Sequence, residues 1–225
     1  MAYRRTERVI RRLAARREDI LAAARDAVAE GGMAAVQIVP VAERAGIAAG
    51  TVYRYFPSKT ELVNELVEQA CAREVETMRR AAEAAPGPLS AIAAAVAALG
   101  QRALQNRKLA WALIGEPADT ETGAVRHACR AALAGEFGRL IRTAAAAGLL
   151  PAEQSPAVTA PALVGAMIEG LIGPLAPEIE SNPARQREAV QSLTLLVLRA
   201  LGVADARARG LVVQIALPAV TEGAA

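Results

Sequence analysis

The sequence predicts an all-α protein. Three observations carry that expectation. Alanine dominates and β-branched residues seldom occur in runs, which favours helix and leaves little material for strands. Apolar residues recur at helical spacing: Ile20, Ala24 and Val28 fall at every fourth position, as do Leu62, Leu66 and Ala70, with Val63, Val67 and Cys71 beside them. Nothing alternates convincingly with period two, the mark of a half-buried strand.

Each predicted helix has a recognisable boundary. Residues 17–31 end at Gly31-Gly32, and residues 38–45 and 49–55 are short helices meeting at Gly46. Residues 58–84 open on Ser58-Lys59-Thr60-Glu61, a capping box in which the hydroxyl accepts an orphan N–H, and stop before Pro86-Gly87-Pro88. Helices 88–106 and 107–115 follow, stopped by Pro117; helix 119–147 closes at Gly148 and Pro151. Helices 156–174 and 184–201 open on Ser155-Pro156 and Asn182-Pro183, each a capping side chain before a proline at the first helical position. A last helix, 205–216, comes after Gly202.

Composition narrows the function. The chain is 225 residues long and 53% hydrophobic, enough for a sizeable core. Residues 1–60 hold eleven Lys/Arg against six Asp/Glu, whereas the whole chain nets only +3, so a basic front sits on a mildly acidic remainder. That asymmetry suits a polyanion partner for the front alone, or a solvated basic face. Cys71 and Cys129 form no disulfide framework, and His127, the one histidine, has too few ligands nearby for zinc. No signal peptide or membrane span is apparent, so a cytoplasmic protein without membrane contact is expected. One histidine, no nucleophile motif, no Gly-rich phosphate loop and no metal-ligand cluster argue against an enzyme, and no cofactor is expected.

The rings are unevenly spread. Of six aromatic residues, Tyr53, Tyr55 and Phe56 fall within four positions. They follow a helix-turn-helix spacing from Ile38 to Tyr55: Ala42 where the second helix must approach closely, Gly46 in the turn, and Val41, Ile47 and Val52 as the small core between. On a recognition helix in the major groove, a tyrosine hydroxyl reaches phosphate oxygens and sets register. Tyr53 and Tyr55 suit that role, Phe56 should point inward, and Lys59 adds a cation at the start of the next helix.

The stretch "VAERAGIAAGTVYRYFPSKTELV" (41–63) resembles the DNA-binding domain of the tetracycline-repressor (TetR) family of transcriptional regulators. The resemblance covers about residues 17–63, roughly a fifth of the chain. It implies an all-helical homodimer with an N-terminal three-helix DNA-binding domain and a larger C-terminal domain for effector and dimerisation. On that basis residues 1–16 are a flexible basic arm, 17–63 the DNA-binding domain, its connecting helix running on to about 84, and 64–225 the effector and dimerisation domain. Family contacts carry over to Ala49, Gly50, Thr51, Tyr53, Arg54, Tyr55 and Lys59. Three departures bear on readout: Val39 where a polar contact is frequent, Gln37 for a Thr/Ser cap, and Ala48 for the serine cap of the recognition helix. With Ala48, Ala49 and Gly50 opening that helix, Thr51 and Arg54 are the best candidates for base contacts, and DNA shape should weigh more than usual.

The resemblance also implies an effector pocket among the middle helices. Met78, Leu104, Trp111, Phe137 and Met167 are candidate apolar lining, with Glu116, His127 and Arg130 as polar handles. Leu163, Met167 and Leu171, facing Val190, Leu193, Val197 and Leu201, are the candidate dimer interface, with an intrachain core as the alternative; Val164, Ile168 and Leu175 form a second apolar row. Glu169 interrupts the apolar surface of its helix. The expected function is a dimeric repressor that binds a palindromic operator in double-stranded DNA and is released by a small hydrophobic or aromatic effector. The alternative is a helical ligand-binding or interaction protein with weakened DNA readout.

Overall fold

The computed structural model describes residues 2–117, 120–151, 153–178 and 182–215. Among them every regular element is helical. Residue 119, the expected start of one helix, and residue 216, the expected end of another, lie outside the described residues.

Helix α1, Ala2–Gly31, packs with α2, Ile38–Arg44, and α3, Ala49–Tyr53, into a small head. Residues 7–16, read from the sequence as part of a flexible arm, are helical and continuous with α1. No Gly or Pro interrupts the chain from Met1 to Glu30, so nothing local stops the helix there. The head closes on Ile20, Leu21, Val28, Val41, Val52 and Phe56, all essentially inaccessible to solvent. Burying one such side chain contributes about 1.5–3 kcal/mol.

Helix α4, Lys59–Glu83, starts where the capping box predicts: the Ser58 hydroxyl accepts from the Glu61 N–H at 3.1 Å. It carries the chain into the body, against α5, Pro88–Gln105, and α7, Thr120–Ala146. Helix α5 is the centre of the body, packed between α4, α7 and α9, Pro183–Ala200. It is accordingly apolar around most of its circumference, with Leu89, Ile92, Val96 and Leu99 buried. At Gly100 a Cβ would lie 3.1 Å from Leu171 and 3.4 Å from Val190, so the absent side chain sets how closely the α9 layer approaches.

Two expected helices change pitch. Helix α6 is only Arg107–Ala110 and passes into a π turn, Trp111–Gly115; α8, Pro156–Met167, passes into another, Ile168–Ile172. The two wide turns pack against each other. In the first, the Trp111 ring covers Gly115, where a Cβ would clash at 2.2 Å. Guanidiniums of other elements cap the carbonyls left open: Arg130 Nε donates to Ile114 O at 2.9 Å, and Arg107 donates to Gly173 O and Ala176 O, both at 3.1 Å. Helix α10, Asp205–Gln214, packs on α9 and α5. The Asn182 side chain caps α9 as expected, accepting from Ala184 N at 2.9 Å, but Ser155 makes no side-chain cap on α8. Leu175, expected to extend an apolar row, is 85% exposed because the helix ends before it, at Ile172.

Candidate nucleic-acid interface and effector cavity

The α2–α3 corner is built by backbone hydrogen bonds that need a left-handed residue. Gly46 has φ +65°, its N–H reaches Glu43 O at 3.0 Å, and the Ile47 N–H reaches back to Ala42 O at 2.9 Å. This paired closure satisfies the last carbonyls of α2 and turns the chain sharply. Val41 and Ala42 are buried beneath it, and Val52 plugs the crossing from α3. Neither Gln37 nor Ala48 caps its helix through a side chain; Gln37 instead donates to Ala34 O at 3.0 Å.

Helix α3 ends at Tyr53, two residues earlier than expected, and Arg54 and Tyr55 sit in the following hydrogen-bonded turn. Gly50, Tyr53 and Arg54 are exposed, while Ala49, Thr51, Tyr55 and Lys59 are half-buried. Tyr55 packs partly on the core and so has less freedom than Tyr53. Val39, 56% exposed, adds an apolar spot at the rim of the same surface. Phe56 is buried, as its position suggested.

Besides the buried core, a guanidinium fastens the turn after α3 to α1 and α4. Arg17 of α1 donates from Nε to Glu65 Oε1 of α4 at 2.7 Å and from Nη1 to Tyr55 O at 2.8 Å; its carbon centre stands 4.4 Å from the centroid of the Phe56 ring. A second contact to Glu65 completes a two-pronged pair. The hydrogen bond with Glu65 raises the Arg17 pKa above its ordinary value, so the cation persists. The partners of Arg17 lie 38 and 48 positions later in the chain, so the sequence carries no local signal of this contact.

The structure does not gather the candidate effector residues into one pocket. Met78, Leu104, Phe137 and Met167 are core side chains, and Trp111 packs on its own turn. Glu116 is half-buried, with Oε2 lacking a hydrogen-bond partner. His127 is exposed along a shallow groove between α7 and α8, which Arg130 also lines. A different cavity, of about 190 Å³, lies where α1, α4, α5, the α6 region and α7 meet. Its walls are apolar at Val67, Leu99, Leu109 and Leu113 and cationic at Arg25, Arg73 and Arg102. Cys71 and Cys129, 58 positions apart, meet at its edge: the Cys71 thiol donates to Cys129 O at 3.6 Å. The neighbouring Cys71 sulfur and burial push the Cys129 thiol far above its ordinary range, so it is a neutral wall.

The seven residues expected at a dimer interface are also corrected. Leu163, Met167, Leu171, Val190, Leu193, Val197 and Leu201 are all buried inside the single chain, where α8 packs on α7 while its following π turn and α9 pack on α5. They form the intrachain core, because α5 and α7 each need an apolar partner on that side. What α8 and α9 leave outward is a different row, with Val158 69% and Leu196 56% exposed. Glu169 is exposed on that outer side, which accounts for a carboxylate on an apolar helix.

Residues 20–66 match the family of bacterial regulatory proteins described as the tetR family. Residues 20–66 are thus similar to the tetR family, over about a fifth of the 225-residue chain. The HTH-type transcriptional repressor KstR of Rhodococcus jostii (strain RHA1) is 46% identical over 72 residues, 32% of each chain. KstR of Mycobacterium tuberculosis (strain ATCC 25618 / H37Rv) is 38% identical over 94 residues, 42% of each. The match thus spans 32% to 42% of the length of these curated relatives. Over the whole fold it is similar to the fatty acid degradation regulator FadR of Bacillus halodurans, with a TM-score of 0.72 and 20% identity, covering 84% of this chain and 97% of that one. It is similar also to RolR in complex with resorcinol, with a TM-score of 0.67 and 20% identity, covering 94% and 100%. At that identity the likeness is one of helical fold. No described helix is long and apolar enough to cross a membrane.

Proposed function

We propose that this protein is a cytoplasmic homodimeric transcriptional repressor of the tetR family. It binds a palindromic operator through α2 and α3 and is released by a small, largely apolar effector. The observation that carries this reading is the α3 surface: Gly50, Tyr53 and Arg54 stand free of the core, on a head fastened to α4 by Arg17. Residues 17–63 act as the DNA-binding head and residues 64–225 as the effector and dimerisation body. Ala49, Gly50, Thr51, Tyr53, Arg54, Tyr55 and Lys59 contact the duplex, with phosphate contacts setting register and Thr51 and Arg54 supplying base contacts. A two-fold dimer puts two α3 segments about one DNA turn, roughly 34 Å, apart. The 190 Å³ cavity touches α1 through Arg25, α4 through Val67 and Arg73, and α6 through Leu109, so an occupant bears on head and body together. The likeness to the transcriptional repressor KstR and to the fatty acid degradation regulator FadR supports the reading.

A competition binding assay at about 150 mM salt tests it, using duplexes from the DNA flanking the gene against random duplex. Preference of about 1,000-fold is expected; equal affinity for both rejects specific recognition. The second reading, a ligand-binding or interaction protein with weakened DNA readout, draws on the exposed Val39 and the absent side-chain caps at Gln37 and Ala48. It predicts that Tyr53→Ala and Lys59→Ala leave the protein's activity unchanged, whereas the repressor reading predicts lost operator affinity.

A further inference from the structure

The cavity at the head–body junction carries an excess of cations that the protein itself pairs loosely. Three guanidiniums line it, from Arg25, Arg73 and Arg102. Arg102 is satisfied: it chelates the Glu74 carboxylate through Nε at 2.8 Å and Nη2 at 2.7 Å. Arg25 and Arg73 share one partner, Glu18, at 3.5 and 3.8 Å, and that side chain is 54% exposed at the rim. Arg73 also donates to Gln69 Oε1 at 2.8 Å. Arg25 Nε is buried and makes no hydrogen bond, which is costly for a charged group. Burial, with repulsion from Arg25 and Arg102, lowers the Arg73 pKa below its ordinary value, as expected where like charges crowd without a strong counter-ion.

The rest of the wall is apolar, and the size sets a limit. A cavity of about 150 Å³ accommodates a benzene ring, so about 190 Å³ takes one ring, or a short chain, with a small substituent. Three guanidiniums face two carboxylates, Glu18 and Glu74, so a single negative charge balances the set and a dianion overshoots it.

We propose that this cavity binds a small monocarboxylate, one ring or a short chain. Its anionic end pairs with Arg25 and Arg73, and its apolar part lies against Leu99, Leu109 and Leu113. The inference rests on the reading of this cavity as the effector site and names the class of ligand. Such a ligand spans α1 of the head, α4 and the α6 region at once, and competes with Glu18 for the two arginines.

The test is calorimetric titration of the full chain with benzoate, phenylacetate and hexanoate, each beside its neutral counterpart: benzyl alcohol, 2-phenylethanol and hexanol. At least one acid is expected to bind with Kd below about 1 mM, at least ten-fold tighter than its alcohol. Arg25→Gln and Arg73→Gln should each erase that preference while leaving alcohol affinity unchanged. Ala103→Met, which fills the apolar wall, should remove both ligands. Melting curves confirm that each variant is folded, and Arg73→Lys, which keeps the charge, should retain part of the preference. Three results overturn the proposal: no heat from any acid up to about 10 mM, alcohols that bind as tightly as the acids, or glutamine variants that keep the preference. Duplex binding measured on the same samples separates the two ideas. A protein that takes the acids here but has no operator affinity ends the repressor reading alone. One that binds its operator and ignores the acids ends the carboxylate proposal alone.

Discussion

Gly46 and Gly50 make an internally controlled pair. A Cβ built at either position meets no heavy atom within 4 Å, so neither substitution by alanine clashes. They differ in backbone: Gly46 holds φ +65°, and Gly50 lies within α3. Gly46→Ala therefore carries the left-handed penalty, roughly 1–2 kcal/mol for an L-residue, less the unfolded-state gain that any Gly→Ala brings. Gly50→Ala removes unfolded-state freedom from a helical position and stabilises by about 0.5 kcal/mol, the low end of the glycine effect because the site is in the first turn. The unfolded-state gain is common to both, so the two variants should differ by roughly 1–2 kcal/mol, the left-handed penalty, with Gly46→Ala the less stable. Urea unfolding followed by circular dichroism measures the difference, and amide exchange at Val41 and Val52 assigns it to the head. Gly46→Asn should fall between parent and alanine, because asparagine tolerates the left-handed region. If Gly46→Ala unfolds no earlier than the parent, or Gly50→Ala loses as much as Gly46→Ala, the account of the turn is wrong. Under the proposed function, Gly50→Ala should weaken duplex binding while strengthening the fold, since its methyl stands on the exposed face of α3.

Two further outcomes follow from the body. The Glu136 carboxylate, 4% exposed, pairs with Arg139 and with Arg79 at 3.5 Å; the Arg139 hydrogen bond, then the Coulombic pull of both cations, holds its pKa below the ordinary carboxylate range against burial. A lowered native pKa gives stability that is present above about pH 4.3, the unfolded value, and lost as pH falls through the native one; Glu136→Gln should cost about 2 kcal/mol at pH 7 and flatten the acid decline, and an unchanged decline in thermal melts refutes the role. Leu196→Glu, at an exposed site on α9, should change the melting free energy by less than about 0.5 kcal/mol yet convert the proposed dimer to monomer in sedimentation velocity; a persistent dimer moves the interface elsewhere.

The parts legible in the sequence are those whose cause is local. Gly46 marks its turn, Ser58 and Asn182 mark their helix starts, and the spacing of Val41, Ala42 and Val52 marks the corner they fill. The row through Leu163, Leu171, Val190 and Val197 was visible as apolar, but periodicity says only that a face is covered, not by what. Here α7 covers α8, and α5 covers Leu171 and Val190, which the missing side chain of Gly100 admits. The π turns escaped because both begin as ordinary apolar helix, and the guanidiniums that cap them come from elsewhere in the chain. The cavity escaped for a similar reason: Arg25, Arg73 and Arg102 look like solvated surface charge until three helices bring them together.

The clasp at Arg17 has a mechanical consequence. One cation holds the carbonyl of Tyr55, the carboxylate of Glu65 and the face of Phe56, so the short reading segment cannot swivel on the long strut it precedes. At 25 residues that strut is about 37 Å long, and a lean of about 10° displaces its tip by roughly 6 Å. A pair of such heads would gauge the gap between half-sites as an angle set deep in the body, with no play at the joint to absorb the error.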